Sequence, residues 1–152
     1  MMKKIISLVV CLFSIMCLIS PVYADEEMGS NPFFKGYRVT RDNNPPTAVW
    51  NLATDGQCNI AGEAYGTADL YTLYRFTGVS QICASVRNLG INYTITVTLR
   101  RCYSILGIDY SLPVDSFTVS PGTREIASFN VSSNKEYYFS FSAPCIFDGF
   151  VV

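Results

Sequence analysis

From Ala48 onward the residues alternate with a period of two, and nothing in the sequence narrows the fold more. In Ile91-Asn92-Tyr93-Thr94-Ile95-Thr96-Val97-Thr98-Leu99 the odd positions are apolar and the even ones polar. Successive side chains of a strand point to opposite faces, so this pattern predicts a strand with one face buried. Ser80 to Arg87 alternates too, with Ile82, Ala84 and Val86 on one face. The Asn88-Leu89-Gly90 break between the two runs reads as a hairpin turn. Further strands are expected at Ala48 to Leu52, Cys58 to Tyr65, Leu70 to Phe76, Ser116 to Ser120, Glu125 to Val131 and Tyr137 to Ala143. Turn residues separate them at Asp55-Gly56, Gly66, Gly78, Pro121-Gly122 and Ser132-Ser133-Asn134. About eight short strands with no 3.6-residue period predict an all-β fold, an antiparallel β-sandwich of jelly-roll-like form.

The chain begins differently. Lys3 and Lys4 precede an apolar run from Ile5 to Ile19, and Val22-Tyr23-Ala24 stands before the acidic Asp25. A basic start, a short apolar core and a small residue at the end form an export signal, so residues 1–24 read as a cleaved signal peptide and the mature protein as secreted and extracellular. The apolar run is short for spanning a bilayer, and no membrane association is expected after cleavage. Residues 25–47 hold early acids, Asn31-Pro32 and Pro45-Pro46, a flexible lead-in or linker in which Phe33, Phe34 and Tyr37 stand ready to dock. Residues 48–152 form the domain.

Without its first 24 residues the chain keeps nine Lys and Arg against twelve Asp and Glu, a net charge of −3. That balance argues against nucleic acid and anionic membrane as partners. The same 128 residues keep four cysteines, Cys58, Cys83, Cys102 and Cys145, none in a Cys-x-x-Cys arrangement. In an exported chain these are disulfide candidates rather than metal ligands. If Ser80 to Leu99 is a hairpin, Cys83 and Cys102 lie too far apart along its ladder to bond. The pairings left are Cys58 with Cys83 and Cys102 with Cys145, or Cys58 with Cys102 and Cys83 with Cys145; in an anaerobic producer all four remain buried thiols.

The sequence has no histidine. Ser-His-Asp and Cys-His nucleophile activation and His-ligated metal sites are therefore excluded, and no phosphate loop or dinucleotide fingerprint occurs. No cofactor and no metal site are expected. A carboxylate pair drawn from Asp55, Glu63, Asp69, Asp109, Asp115, Glu125, Glu136 and Asp148 would allow a small glycosidase, the least favoured function. Sequons at Asn92 and Asn130 matter only in a glycosylating secretory pathway.

Ten tyrosines and ten phenylalanines supply both core and contact surface. Parity within Leu70 to Phe76 places apolar groups on both faces, a central strand. The candidate ligand-binding residues are Trp50 at the entry to the domain, Tyr65 beside Gly66, and Tyr103 and Tyr110 in the loop between the strand ending at Cys102 and the one near Ser116. Arg100-Arg101 interrupts the alternation as a bulge or strand end would, or presents a small basic patch to an acidic glycan. The expectation is a non-enzymatic recognition module for a glycan, cell-wall or host-surface ligand, the alternative a self-associating structural exoprotein that takes residues 25–47 of a neighbour onto an open edge.

The stretch Ala68-Asp69-Leu70-Tyr71-Thr72-Leu73-Tyr74-Arg75-Phe76-Thr77-Gly78, with the closing Tyr137-Tyr138-Phe139-Ser140-Phe141-Ser142, resembles small exported proteins of Gram-positive gut bacteria whose function is uncharacterised. The resemblance implies a Gram-positive source and a sandwich fold, and carries no catalytic or binding residue across.

Overall fold

The computed structural model describes residues 38–40 and 45–152. The expected signal peptide, Phe33, Phe34, Tyr37 and most of the lead-in lie outside them. Two sheets face each other. The first has the order β1 (Arg38–Thr40), β3 (Cys58–Ala64), β11 (Cys145–Val151), β6 (Gln81–Asn88), β9 (Arg124–Asn130). The second runs β2 (Ala48–Asn51), β5 (Tyr74–Thr77), β10 (Tyr137–Phe141), β7 (Ile95–Ile105), β8 (Ile108–Val119), with the short β4 (Leu70–Tyr71) also paired to β10. Pairing is antiparallel except at β1–β3 and β2–β5. This is the all-β sandwich that the alternation predicts.

Alternate residues of each strand meet between the sheets. Ile82, Ala84 and Val86 from β6, Ile95, Val97 and Leu99 from β7 and Phe139 and Phe141 from β10 are fully buried there. Phe141 stacks on Phe147 of the other sheet with centroids 3.9 Å apart, and Phe129 tilts against Phe139 at 5.9 Å. Each buried ring removes some 150–250 Å² from water, so these pairs dominate the energy that holds the sheets together.

Several expectations change. Arg38–Thr40, in the expected flexible lead-in, forms a strand on β3. Leu52–Asp55 makes one helical turn, α1, started by Asn51, whose Oδ1 accepts from the Ala53 N–H at 3.0 Å. Leu70 to Phe76 divides into β4 and β5 at Thr72, whose hydroxyl donates to the Tyr74 carbonyl and accepts from the Phe139 N–H.

The largest correction concerns the hairpin at residues 88–90. β6 belongs to the first sheet and β7 to the second, so the two runs never pair. Residues 91–94 are not strand, and Ile91 is 84% exposed. The cause is Asn88, 1% exposed, whose side-chain amide donates to the carbonyls of Tyr93 and Val119 and whose Oδ1 accepts from Gly90 N–H. It ties the connection into a crossing from one sheet to the other.

The disulfide expectation changes with it, since no two of the four cysteines lie at disulfide distance. Cys58 and Ala84 flank Val151 on the core face, which turns Cys83 to the outer face. Cys145 shares the core face with Cys58 but lies six residues along β11 from Val151, Cys58's partner, about 20 Å at ~3.3 Å per residue. Cys102 is in the other sheet. Neither expected pairing is within the ~7 Å Cα reach of a disulfide.

Candidate functional site

Strands β7 and β8 outrun the rest of their sheet. β10 pairs with β7 only as far as Arg101, and beyond it the two strands continue as a two-stranded arm to a turn at Leu106-Gly107. Both turn residues have positive φ, 54° and 79°, the geometry of a two-residue hairpin turn whose twist matches its strands. The arm overhangs the sandwich by roughly 13 Å at ~3.3 Å per residue.

Register decides which side chains share a face. Ile95, Val97 and Leu99 point into the core, and Arg101, Tyr103 and Ile105 continue their row. Opposite them stand Leu112, Tyr110 and Ile108. The core face of the sheet therefore runs on past the point where the other sheet covers it. Ile105, Ile108, Tyr110 and Leu112 are 51–60% exposed and Leu106 is 98% exposed. Tyr103 and Tyr110 face each other directly across the ladder. The Arg101 guanidinium lies 4.7 Å from the Tyr103 ring centroid, a cation–π contact, and its buried Nε has no hydrogen-bond partner.

The opposite face of the arm is polar and anchored. Arg75 donates to Asp109 on the arm at 2.7 Å and to Glu136 at 3.1 Å, while its Nε donates to the Pro46 carbonyl. The hydrogen bond and charge of Arg75 hold the Asp109 carboxyl below its ordinary value, so it stays ionised. Arg100 Nε donates to Ser111 Oγ, and that hydroxyl lies 2.6 Å from the Tyr138 hydroxyl. Burial pushes the Cys102 thiol on this face up to about 11. The arm is thus fixed on one side and uncovered on the other.

The four aromatic residues singled out in the sequence do not form one site. Tyr103 and Tyr110 come together, on a strand ladder and not in a loop as expected. Trp50 packs on the core with its ring 5.2 Å from Tyr74, and its Nε1 donates to the Gly56 carbonyl. Tyr65, 77% exposed, follows β3 at the opposite end of the sandwich and donates its hydroxyl to Glu63. Arg100-Arg101 marks a bulge, because Leu99 pairs with Asp115 and Arg100 with Pro113, leaving Val114 extra on β8. Sequence reasoning missed Ile105, Leu106 and Ile108, although a glycine inside an apolar run between two strands is a turn signal.

The outer face of the first sheet carries a second set of aligned groups. Asn59, Phe150, Ser85 and Ile126 form one row across four strands, and Ala61, Asp148, Arg87 and Arg124 the next. Asp148, 4% exposed, is gripped by Nε and a terminal nitrogen of Arg87 and by Arg124 at 3.2 Å. Among the described residues no group of three or more Cys, Asp or Glu is placed to hold a metal ion, and no helix is long and apolar enough to cross a membrane.

A two-sheet sandwich with an anchored, overhanging arm is the class that this geometry defines. No family model matches the chain, and no curated protein does. Among solved structures it is similar to one described as "Family 16 Carbohydrate Binding Module-2", at 9% identity and a TM-score of 0.30, over 61% of this chain and 70% of that one.

Proposed function

We propose that the protein is a secreted, non-enzymatic recognition module that holds a cell-wall or cell-surface ligand against the inner face of the β7–β8 arm. One observation carries this reading: a contiguous apolar and aromatic face is left uncovered while the reverse side of the same two strands is tied down by Arg75. Monomeric proteins rarely expose such a patch without a contact for it to make, and a fixed arm meets a partner without the entropy cost of ordering a loop. The ring faces of Tyr103 and Tyr110 suit the apolar face of a pyranose; Ile105, Leu106, Ile108 and Leu112 suit an apolar protein surface. Export is supported by the N-terminal pattern, and the non-enzymatic part by the absence of histidine and by the tying of Asp109 and Glu136 to one arginine.

The test is binding of the purified protein to immobilised cell-wall polymers, host glycans and surface proteins. Replacing Tyr103 and Tyr110 together by Ala is expected to weaken binding at least about tenfold, as loss of a central aromatic anchor does. Unchanged affinity for a ligand found in this way would remove the arm as the site.

A second reading, self-association, is favoured by the position of β8 at the edge of its sheet. Pro113 and the bulge beside it blunt the middle of that edge, and Asp109–Leu112 remains open to a strand from another copy. A monomer by light scattering at every concentration would end it.

A further inference from the structure

We propose that the arm docks on a phospholipid bilayer, its tip residues Ile105, Leu106 and Ile108 entering the boundary between headgroups and acyl chains. The inference rests on the reading of the arm as the contact surface and names what it contacts.

Side-chain chemistry changes in order along the arm. At the turn Ile105 pairs with Ile108 and Leu106 stands beyond them, all three exposed. The next pair on the same face is Tyr103 with Tyr110, and the pair after that is Arg101 with Leu112. Aliphatic groups, then tyrosines, then a guanidinium follow the environments met on leaving a bilayer, because a tyrosine keeps its ring in the apolar boundary and its hydroxyl in water, and an arginine meets lipid phosphate. The lengths agree. Residues 101 to 105 span about 13 Å at ~3.3 Å per residue, so a tip set roughly 5–10 Å into the boundary brings Arg101 level with the phosphates.

Two further observations separate this surface from an ordinary apolar patch. Beyond its contact with the Tyr103 ring, Arg101 makes no ion pair among the described residues and its buried Nε lacks a hydrogen-bond partner, so its charge is left for a group outside the chain. Leu106 holds a positive φ of 54°, which asparagine or glycine adopts at less cost, so the turn keeps a large apolar side chain at its outermost point against the preference of its own backbone. A pyranose would engage the tyrosines and leave that leucine in water. Acyl chains take it up without a shaped pocket.

The reverse face limits the depth. Ser104 and Asp109 form the pair behind the tip, and Asp109 is ion-paired with Arg75. Charge is costly in hydrocarbon, so insertion stops after one residue pair and the inner face tilts toward the lipid. The excess of acids over bases argues only against electrostatic capture by an anionic surface. Insertion here is driven by apolar area, and a zwitterionic bilayer suffices.

The test mixes the secreted chain, residues 25–152, with phosphatidylcholine vesicles, with and without added phosphatidylglycerol, and measures co-sedimentation. Binding to phosphatidylcholine alone is expected, and it should persist at high salt. Leu106→Asp should lower partitioning about tenfold or more, the loss of one buried leucine. Leu106→Asn should also lower it while raising the stability of the fold, which separates loss of contact from loss of structure. Arg101→Gln should lower it about fivefold, as for one basic residue at a lipid surface. In Leu106→Trp the emission should shift to the blue and be quenched by bromine on the acyl chains. No binding to either vesicle, or binding unchanged in both Leu106→Asp and Ile108→Asp, would overturn the lipid assignment. If a polymer or protein ligand then loses affinity when Tyr103 and Tyr110 are replaced by Ala, the arm stands as a contact surface and the bilayer alone is removed.

Discussion

Leu106 sits at the arm's turn with φ 54° and almost its whole side chain in water. A leucine gains nothing from that conformation, which costs a non-glycine residue on the order of 1–3 kcal/mol, whereas asparagine adopts it readily. Leu106→Asn is expected to raise stability by about 1 kcal/mol in urea unfolding, and to lower it if the turn had a different form. The thiols make a second statement at this scale. Burial raises Cys102 to about 11 and Cys145 to about 12 from an ordinary value of 9.0. Between pH 9 and 11 the unfolded chain therefore releases protons that the folded chain keeps, so these groups leave stability untouched below about pH 9 and lower it as pH rises through that window. The unfolding temperature should fall from pH 9 to pH 11, and less steeply in Cys145→Ala. Alkylation in denaturant without reductant should add four groups; two would restore a disulfide.

For whole strands, much of the pattern was legible. The inward sets of β6 and of the Ile95–Leu99 part of β7 follow directly from alternation. Alternation does not say which strand is the neighbour, and there the reading of residues 80–99 as a hairpin failed: Asn88 is a turn-type residue by composition, and only its burial reveals that it builds a crossing between sheets. That β7 and β8 extend together past the sandwich was hidden for the same reason, because loop and overhanging ladder share the residues Tyr103 to Tyr110. The row joining Asn59 to Ile126 was illegible, since its members come from four strands separated by up to 91 positions in the sequence. Arg75 is the hinge pin of the arm's order. Arg75→Gln should lower the hydrogen-exchange protection of amides 102–111 about tenfold, the loss of one or two charge-assisted bonds, with amides of β6 and β10 unchanged. Equal loss everywhere would mean that Arg75 holds the whole sandwich and not the arm.

Across the whole molecule, the partition into two sheets follows from aromatic and branched residues on a period of two, but the order within each sheet comes from long-range pairing. β11 lies between β3 and β6, so a strand that follows both of them in sequence is placed between them in space. Deleting residues 145–152 should leave β3 and β6 without a common partner and unfold the protein, seen as loss of dispersed amide signals; a folded truncate would contradict the register.

That placement also gives the chain a timetable. A polypeptide that emerges amino end first displays β3 and β6 for some sixty residues or more with their facing edges vacant, and the seam between them can be sewn only when residue 151 has arrived. Contacts spanning such distances close slowly. The first sheet is consequently late to commit: β3 and β6 are joined into one layer only once residues 145–151 slide in between them.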